Sequence, residues 1–200
     1  FIANQEDRMK KAQPIKNEKQ LEQFKNFYYT EEYNPRNHVL ITVGLNTALR
    51  VSDILSFCWD DVYDFQNNKF RSHIVITEKK TQKISVIYLN SRVISVLKWY
   101  KQIQKKKIIS STCLFSNNCG EAISRVQAYR IVRHAAEACN IDGVISPHSL
   151  RKTFGYQAWK KGMSPVLLMA IYQHSSFNIT KRYLGIEQDE RDSVFRDVVI

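Results

Sequence analysis

Apolar residues return at helical spacing over most of this chain and alternate only near its middle. Leu21, Phe24, Phe27 and Tyr28 share one face behind Asn17, whose spacing to Gln20 suits a capping box, and so predict a first helix. Asn34-Pro35 is a cap followed by proline at the first helical position. The run through Leu40, Ile41, Val43 and Leu45 is apolar enough for a buried helix ending near residues 47–50. Residues 52–57 add a short helical stretch with Ile54 and Leu55 inward.

The period then changes. Residues 70–77 (FRSHIVIT) and 83–89 (KISVIYL) are rich in β-branched and aromatic side chains and flank a polar EKKTQ segment, predicting a hairpin with Val62-Tyr63 as a third strand. The turn has no glycine, which predicts a loop longer and more mobile than a two-residue turn. Helical spacing resumes from Ser91 through Val93, Leu97, Tyr100 and Ile103, then meets Lys105-Lys106-Lys107, a run suited to a solvated helix C-terminus. Ser124 and Gln127 repeat the capping-box spacing ahead of Tyr129, Val132, Ala136 and Cys139. Ser146-Pro147 and Ser164-Pro165 open two further helices, and Gly162 and Gly185 stand where helices end. Val194, Phe195 and Val198 among charges make a weakly amphipathic last helix, suited to docking on its own domain or on a neighbouring protomer. The pattern predicts a mainly α fold with a small antiparallel β-sheet (α+β), divided into a flexible lead over 1–14, a folded domain over 15–186 and a tail helix over 187–200.

Composition narrows the class of protein. A chain of 200 residues can bury a single core, removing about 70% of its unfolded surface from water. Its 44% hydrophobic content excludes a disordered tail, and six Gly with four Pro exclude collagen-like sequence. No apolar run approaches the roughly 18 residues of a membrane span, and the N-terminal stretch lacks an apolar signal core, so neither anchorage nor secretion is expected. The first residue is Phe1 rather than Met, which leaves room for upstream sequence. Cys58, Cys113, Cys119 and Cys139 form no C-x-x-C pair; they predict reduced, mostly buried cytosolic thiols rather than a zinc site or disulfide framework. Thirty Lys and Arg against 19 Asp and Glu leave a net charge of +11, the footprint of a polyanion partner. Nucleic acid is the first candidate and an anionic membrane surface the second; charge alone does not choose between them.

The segment that carries chemistry is Ser146-Pro147-His148-Ser149-Leu150-Arg151-Lys152-Thr153-Phe154. With the helix starting at Pro147, His148 and Arg151 share a face in its first turns, where unpaired N–H groups and the helix dipole favour an anion such as phosphate. H-x-x-R alone is far more often an exposed basic cap with a helix-terminal histidine. Two other segments join it: Ala48-Leu49-Arg50-Val51-Ser52-Asp53, and Tyr172-Gln173-His174-Ser175-Ser176 followed by Tyr183.

In chain order, Arg50, a hairpin lysine, His148-x-x-Arg151, His174 and Tyr183 resemble the active-site set of the tyrosine recombinase (phage-type integrase) family. The resemblance spans about residues 15 to 195 and rests on ALRVSDIL, the lysine-bearing hairpin, HSLRKTF and HSSFNITKRYLG. It is especially similar to short integrases that are little more than a catalytic domain. The family's fold would make residues 15–186 a tyrosine recombinase catalytic domain. The resemblance implies a site-specific recombinase with Arg50 and Arg151 on the scissile phosphate, Tyr183 as nucleophile, His148 as general base and His174 bonded to the phosphate. Lys80 is the best match for the general acid that protonates the departing 5′ hydroxyl, with Lys79 and Lys83 near enough to leave the choice open. Asp53 would hold Arg50 from behind, or is a simple helix-surface carboxylate.

The implied partners are double-stranded DNA and further copies of the chain, forming a tetramer on synapsed sites; no cofactor, metal or membrane is implied. Cytoplasmic, nucleoid-associated location in a prokaryote or phage host follows from the same resemblance. Physical chemistry agrees with the roles: planar guanidinium groups pair with phosphate oxygens in fork geometry. A phenol with an ordinary pKa of about 10 needs a base and a cationic field to ionise. His148 and His174 as zinc ligands would lack further ligands. Where the family often has glycine before the second histidine, this chain has Gln173, and no helical core-binding domain is recognisable before residue 15. A type IB topoisomerase-like relaxation activity and a non-catalytic DNA-binding module remain alternatives.

Overall fold

The chain opens with cap chemistry at most of its helix starts. In the computed structural model, which describes residues 11–80, 82–104 and 108–199, helix α1 (Glu18–Thr30) begins where Asn17 accepts a hydrogen bond from the Gln20 amide at 3.0 Å. Helix α2 (Pro35–Thr47) starts behind Asn34 with Pro35 in its first turn and is buried on nearly all sides, which explains why its apolar residues show no single face. It ends at Ala48 in the left-handed region (φ 54°) and is followed by the short helices α3 (Val51–Ile54) and α4 (Trp59–Val62). Lys105-Lys106-Lys107 and most of the lead lie outside the described residues. The end of the lead does not hang free: the Gln13 amide donates to Val144 O at 3.0 Å, and the Ile15 amide donates to Thr153 Oγ1 at 2.9 Å with Ile15 itself buried.

The expected three-stranded sheet is two separate hairpins. Strands β1 (Tyr63–Asp64) and β2 (Lys69–Phe70) pair with each other, while β3 (His73–Thr77) pairs antiparallel with β4 (Ile84–Tyr88). Tyr63 therefore belongs to its own sheet and Phe70 is not part of the long strand. Asp64 is the cause: its Oδ1 accepts from the Gln66 and Asn67 amides at 3.0 Å each, and Asn68 takes a left-handed φ of 49°, closing a tight local hairpin before the chain reaches β3. At the tip of the second hairpin Gln82 adopts φ 55°, the conformation a glycine would have supplied.

Helices α5 (Ser91–Gln102), α6 (Arg125–Ala138), α7 (Pro147–Lys160), α8 (Pro165–Tyr172), α9 (Phe177–Leu184) and α10 (Glu187–Asp197) complete the order. The core gathers α1, α2, α5, α6 and the inner face of β3 around Phe24, Leu40, Trp59, Leu97 and Phe115. Each such side chain contributes about 1.5–3 kcal/mol by leaving water. In α6 the buried face is Ala128, Ile131, Val132, Ala135 and Ala136, with Tyr129 outside. A second cluster, Ala48, Tyr156, Leu168, Tyr172, Leu184 and Ile186, joins α7, α8 and α9 beneath the candidate site.

Two glycines set the spacing around α7. A Cβ on Gly44 would lie 2.5 Å from the Leu150 side chain, so α7 packs its leucine directly against the bare backbone of α2 at this point. A Cβ on Gly155 would run into the Tyr172 hydroxyl and lie 2.6 Å from Leu184, so α8 and α9 close onto α7 only because that side chain is missing. The cysteines are free thiols, but burial is not the rule for them. Cys119 is exposed in the turn built on Asn117, and Cys58, Cys113 and Cys139 are half-buried. No helix among the described residues is long and apolar enough to cross a membrane.

Candidate active site

Arg50 occupies the N-cap position of α3, set there by the left-handed turn at Ala48. The buried guanidinium of Arg151, one turn into α7, donates from Nη1 to the Ala48 carbonyl and stacks 4.7 Å above the Tyr172 ring. One arginine thus locks the turn that presents the other. A left-handed L-residue costs about 1–2 kcal/mol, and a charge-assisted bond to its carbonyl contributes a comparable about 1.5–3 kcal/mol.

Tyr172 donates from its hydroxyl to Arg151 O at 2.7 Å, fixing α8 against α7. At the end of α8, Gln173 adopts φ 56° where the resemblance would place glycine. It finds compensation: its Nε2 donates to Glu78 Oε1 at 2.7 Å. The reversal delivers His174 beside Tyr183, with ring centroids 5.2 Å apart in edge-to-face contact, while Tyr172 stacks on His174 at 5.6 Å. His174 Nδ1 lies 3.0 Å from the hydroxyl of buried Thr180, which orients the imidazole. Tyr183 sits on α9, half-buried, with Lys152 Nζ 4.8 Å from its ring centroid.

The electrostatics tie the separated motifs into one neighbourhood. Burial raises the Tyr183 phenol above its ordinary range; the charge of Arg151, a hydrogen bond from it, and the charge of Arg50 pull the other way without cancelling that rise. His148 keeps an exposed edge, yet the protein behind its ring, followed by the charges of Lys152, Arg151, Arg50 and Lys80, lowers its pKa. His174 is lowered for the same reasons, burial first and then Arg151 and Arg50. Both imidazoles are therefore neutral at pH 7. Of the three hairpin lysines, Lys80 is the one whose charge reaches His148; all three are exposed.

The structure thus brings Arg50, Lys80, His148, Arg151, His174 and Tyr183 together. It places Asp53 differently from the expectation. Asp53 is buried and its Oδ1 accepts from the Lys79 amide at 3.0 Å, so it anchors the base of the β3–β4 turn; the carboxylate on Arg50 belongs to Glu78. The reason is geometric: Asp53 follows Arg50 within α3 and points to the hairpin, while Glu78 comes across from it. Glu78, Gln173, Tyr172, Thr180 and Lys152 contact the candidate residues and were not singled out from the sequence. The one local signal was Gln173 standing at a position that favours glycine.

A model of the phage integrase family matches residues 16–190. The chain belongs to this family. It is a tyrosine recombinase by descent, an enzyme class that cleaves and rejoins DNA. A relative named probable integrase/recombinase YoeC, from Bacillus subtilis strain 168, is 34% identical over 186 residues, covering 92% of this chain and 96% of that protein. The tyrosine recombinase XerC of Thermodesulfovibrio yellowstonii is 24% identical, covering 76% of this chain and 50% of its own length. The chain thus spans nearly all of the first relative and about half of the second. Among solved structures, XerA recombinase superposes with a TM-score of 0.72 at 18% identity, covering 96% of this chain and 66% of XerA. A lambda integrase dimer bound to a COC' core site gives 0.65 at 15% identity, covering 88% of this chain and 49% of that one. At these identities the structures establish the fold: the tyrosine recombinase catalytic-domain fold.

Proposed function

We propose that this chain is a site-specific DNA recombinase that cuts and rejoins double-stranded DNA through a 3′-phosphotyrosyl intermediate on Tyr183. The observation that carries the reading is the convergence of residues from four separate segments, Arg50, Lys80, His148-x-x-Arg151 and His174, around one tyrosine. Arg50 and Arg151 take the non-bridging oxygens of the scissile phosphate. His148, neutral at pH 7, accepts the phenolic proton as Tyr183 Oη attacks phosphorus. The bond from phosphorus to the 5′ oxygen breaks, and Lys80 gives a proton to that oxygen, leaving a 5′ hydroxyl and a 3′-phosphotyrosine. His174, with Nδ1 turned to the Thr180 hydroxyl, donates from the Nε2–H of its neutral imidazole to a phosphate oxygen. A 5′ hydroxyl from a partner strand reverses each step, so the bond energy is conserved in the protein–DNA link. Asp53 supports the hairpin that carries Lys80.

In this reading residues 15–186 form the catalytic domain and residues 187–200 a tail that docks in cis or in trans. The apolar residues of the tail support the trans arrangement: Val194, Phe195 and Val198 are 59%, 84% and 61% exposed. Four copies then assemble on two synapsed sites, and the protein works in the cytoplasm, on the nucleoid.

Cleavage mapped on a random duplex library, followed by a nicked suicide version of the selected site, tests the reading. A detergent-resistant protein–DNA adduct is expected for the parent and absent for Tyr183→Phe. Relaxation of any plasmid without a preferred site would instead favour the topoisomerase-like alternative, and unchanged DNA function in Tyr183→Phe the binding module.

A further inference from the structure

The Glu78 carboxylate is the meeting point of three elements that carry the candidate machinery. It lies at the end of β3, two residues before Lys80. It accepts from Arg50 Nη1 at the cap of α3, from Ser85 Oγ on β4 at 2.6 Å, and from Gln173 Nε2 at 2.7 Å, next to His174. Its side chain is 5% exposed against 20% for Arg50. Burial by itself would raise this carboxyl, but hydrogen bonds from Ser85 and Arg50 and the charges of Arg50 and Arg151 outweigh it and keep the group ionised. A guanidinium has five donors. Glu78 engages Nη1, and among the described residues the rest of the Arg50 guanidinium has no other hydrogen-bond acceptor.

We propose that Glu78 is the positioning residue of the phosphate clamp: one buried carboxylate sets the Arg50 guanidinium and the Gln173-His174 turn in fixed relation before DNA arrives. The inference rests on the assignment of Arg50 and His174 to the scissile phosphate. Its physical content is that a carboxylate accepts from several donors at once, whereas the isosteric carboxamide offers one acceptor oxygen and an NH2 that opposes whichever of Arg50, Ser85 or Gln173 it meets. Misplacement of a clamp by about an ångström costs up to about 100-fold in rate without removing the clamp.

The test uses the whole chain on its nicked suicide site, measuring the single-turnover rate of adduct formation at saturating DNA, the half-saturating DNA concentration and the melting midpoint. For Glu78→Gln the saturating rate falls about 10- to 100-fold, in line with loss of an orienting partner, while half-saturation stays within about threefold because phosphate contacts elsewhere dominate binding. Glu78→Asp, which keeps the charge, recovers most of the rate. A Glu78→Gln protein that cleaves at the parental rate or faster overturns the proposal. So does one whose rate and half-saturation worsen together with a lowered melting midpoint, or one that fails to melt cooperatively while Glu78→Asp matches the parent throughout; either result makes Glu78 a folding residue. The parent protein is the separating control: absence of any adduct from it refutes the recombinase reading itself, whereas a parental adduct with an indifferent Glu78→Gln refutes this inference alone.

Discussion

A half-buried phenol beside two arginines is held, in the DNA-free molecule, on the protonated side of its equilibrium, because desolvation outweighs the pull of Arg151 and Arg50 on Tyr183. In the proposed mechanism attack requires a base, and the residue assigned to it, His148, is a neutral imidazole whose proton affinity is depressed by burial and by Lys152, Arg151, Arg50 and Lys80. The depressed value puts the protonated, inactive form only at acid pH. Single-turnover cleavage measured from pH 5 to 8 is predicted to stay level down to neutrality and then fall, with its inflection below the ordinary histidine value of about 6.5. His148→Gln should lose that acid limb together with about 10²- to 10⁴-fold in rate, the usual share of a general base. An inflection above 7, or an unaltered profile in the variant, would contradict the role. At this scale the sequence was legible wherever a residue sits inside a dense motif: Arg50, His148, Arg151, His174 and Tyr183 all do. Glu78 stands on Arg50 where Asp53 was expected, because partner choice across a hairpin depends on which way two short elements face, a property no local spacing encodes.

At the scale of elements, caps and prolines marked helix starts well because each satisfies a local orphan donor, as Asn34 does for α2. The separate β1–β2 hairpin escaped notice because Asp64 closes it with side-chain bonds, not with a glycine turn. The packing of α8 and α9 on α7 was illegible for another reason: Gly155 matters through what it leaves vacant for Tyr172 and Leu184. Gly155→Ala is predicted to destabilise the protein by about 1–3 kcal/mol, the usual cost of overpacking, and to slow adduct formation by shifting His174 and Tyr183 relative to Arg151. Urea unfolding and single-turnover cleavage check both; a variant as stable and active as the parent would refute the close approach. A second element-level consequence lies far from the site. His38, buried in α2, has its pKa lowered to about 4 by burial and by the charge of Arg92. The folded state then binds fewer protons than the unfolded one, so stability should drop as pH falls from about 6.5 toward 4, by up to about 3 kcal/mol. Denaturation across that range should show the slope, and His38→Gln should flatten it.

For the whole molecule, a net charge of +11 is a statement about partners and rates, not about fold. It predicts that DNA affinity, followed by fluorescence anisotropy, falls steeply with salt. A loss of about 10³-fold between 50 and 200 mM corresponds to roughly six phosphate contacts, and a flat response would mean that the charge serves something other than a nucleic-acid backbone. The fold class and most of the helix starts were readable because they follow from periodicity and caps, whereas the second core cluster and the separate helix α9 were not. The bringing together of residues 50, 80, 148, 151, 174 and 183 was readable only through resemblance, since nothing in a linear pattern states which ends of which helices meet.

Recombination as proposed turns on one particular oxygen, Tyr183 Oη, becoming bonded to DNA. The most direct measurement is mass spectrometry of a nuclease- and trypsin-treated adduct. A nucleotide mass is expected on the peptide Tyr183–Arg191, with fragmentation placing it on the tyrosine. DNA cleavage that leaves this peptide unmodified, or that places the nucleotide on Tyr172 or any other residue, would contradict it.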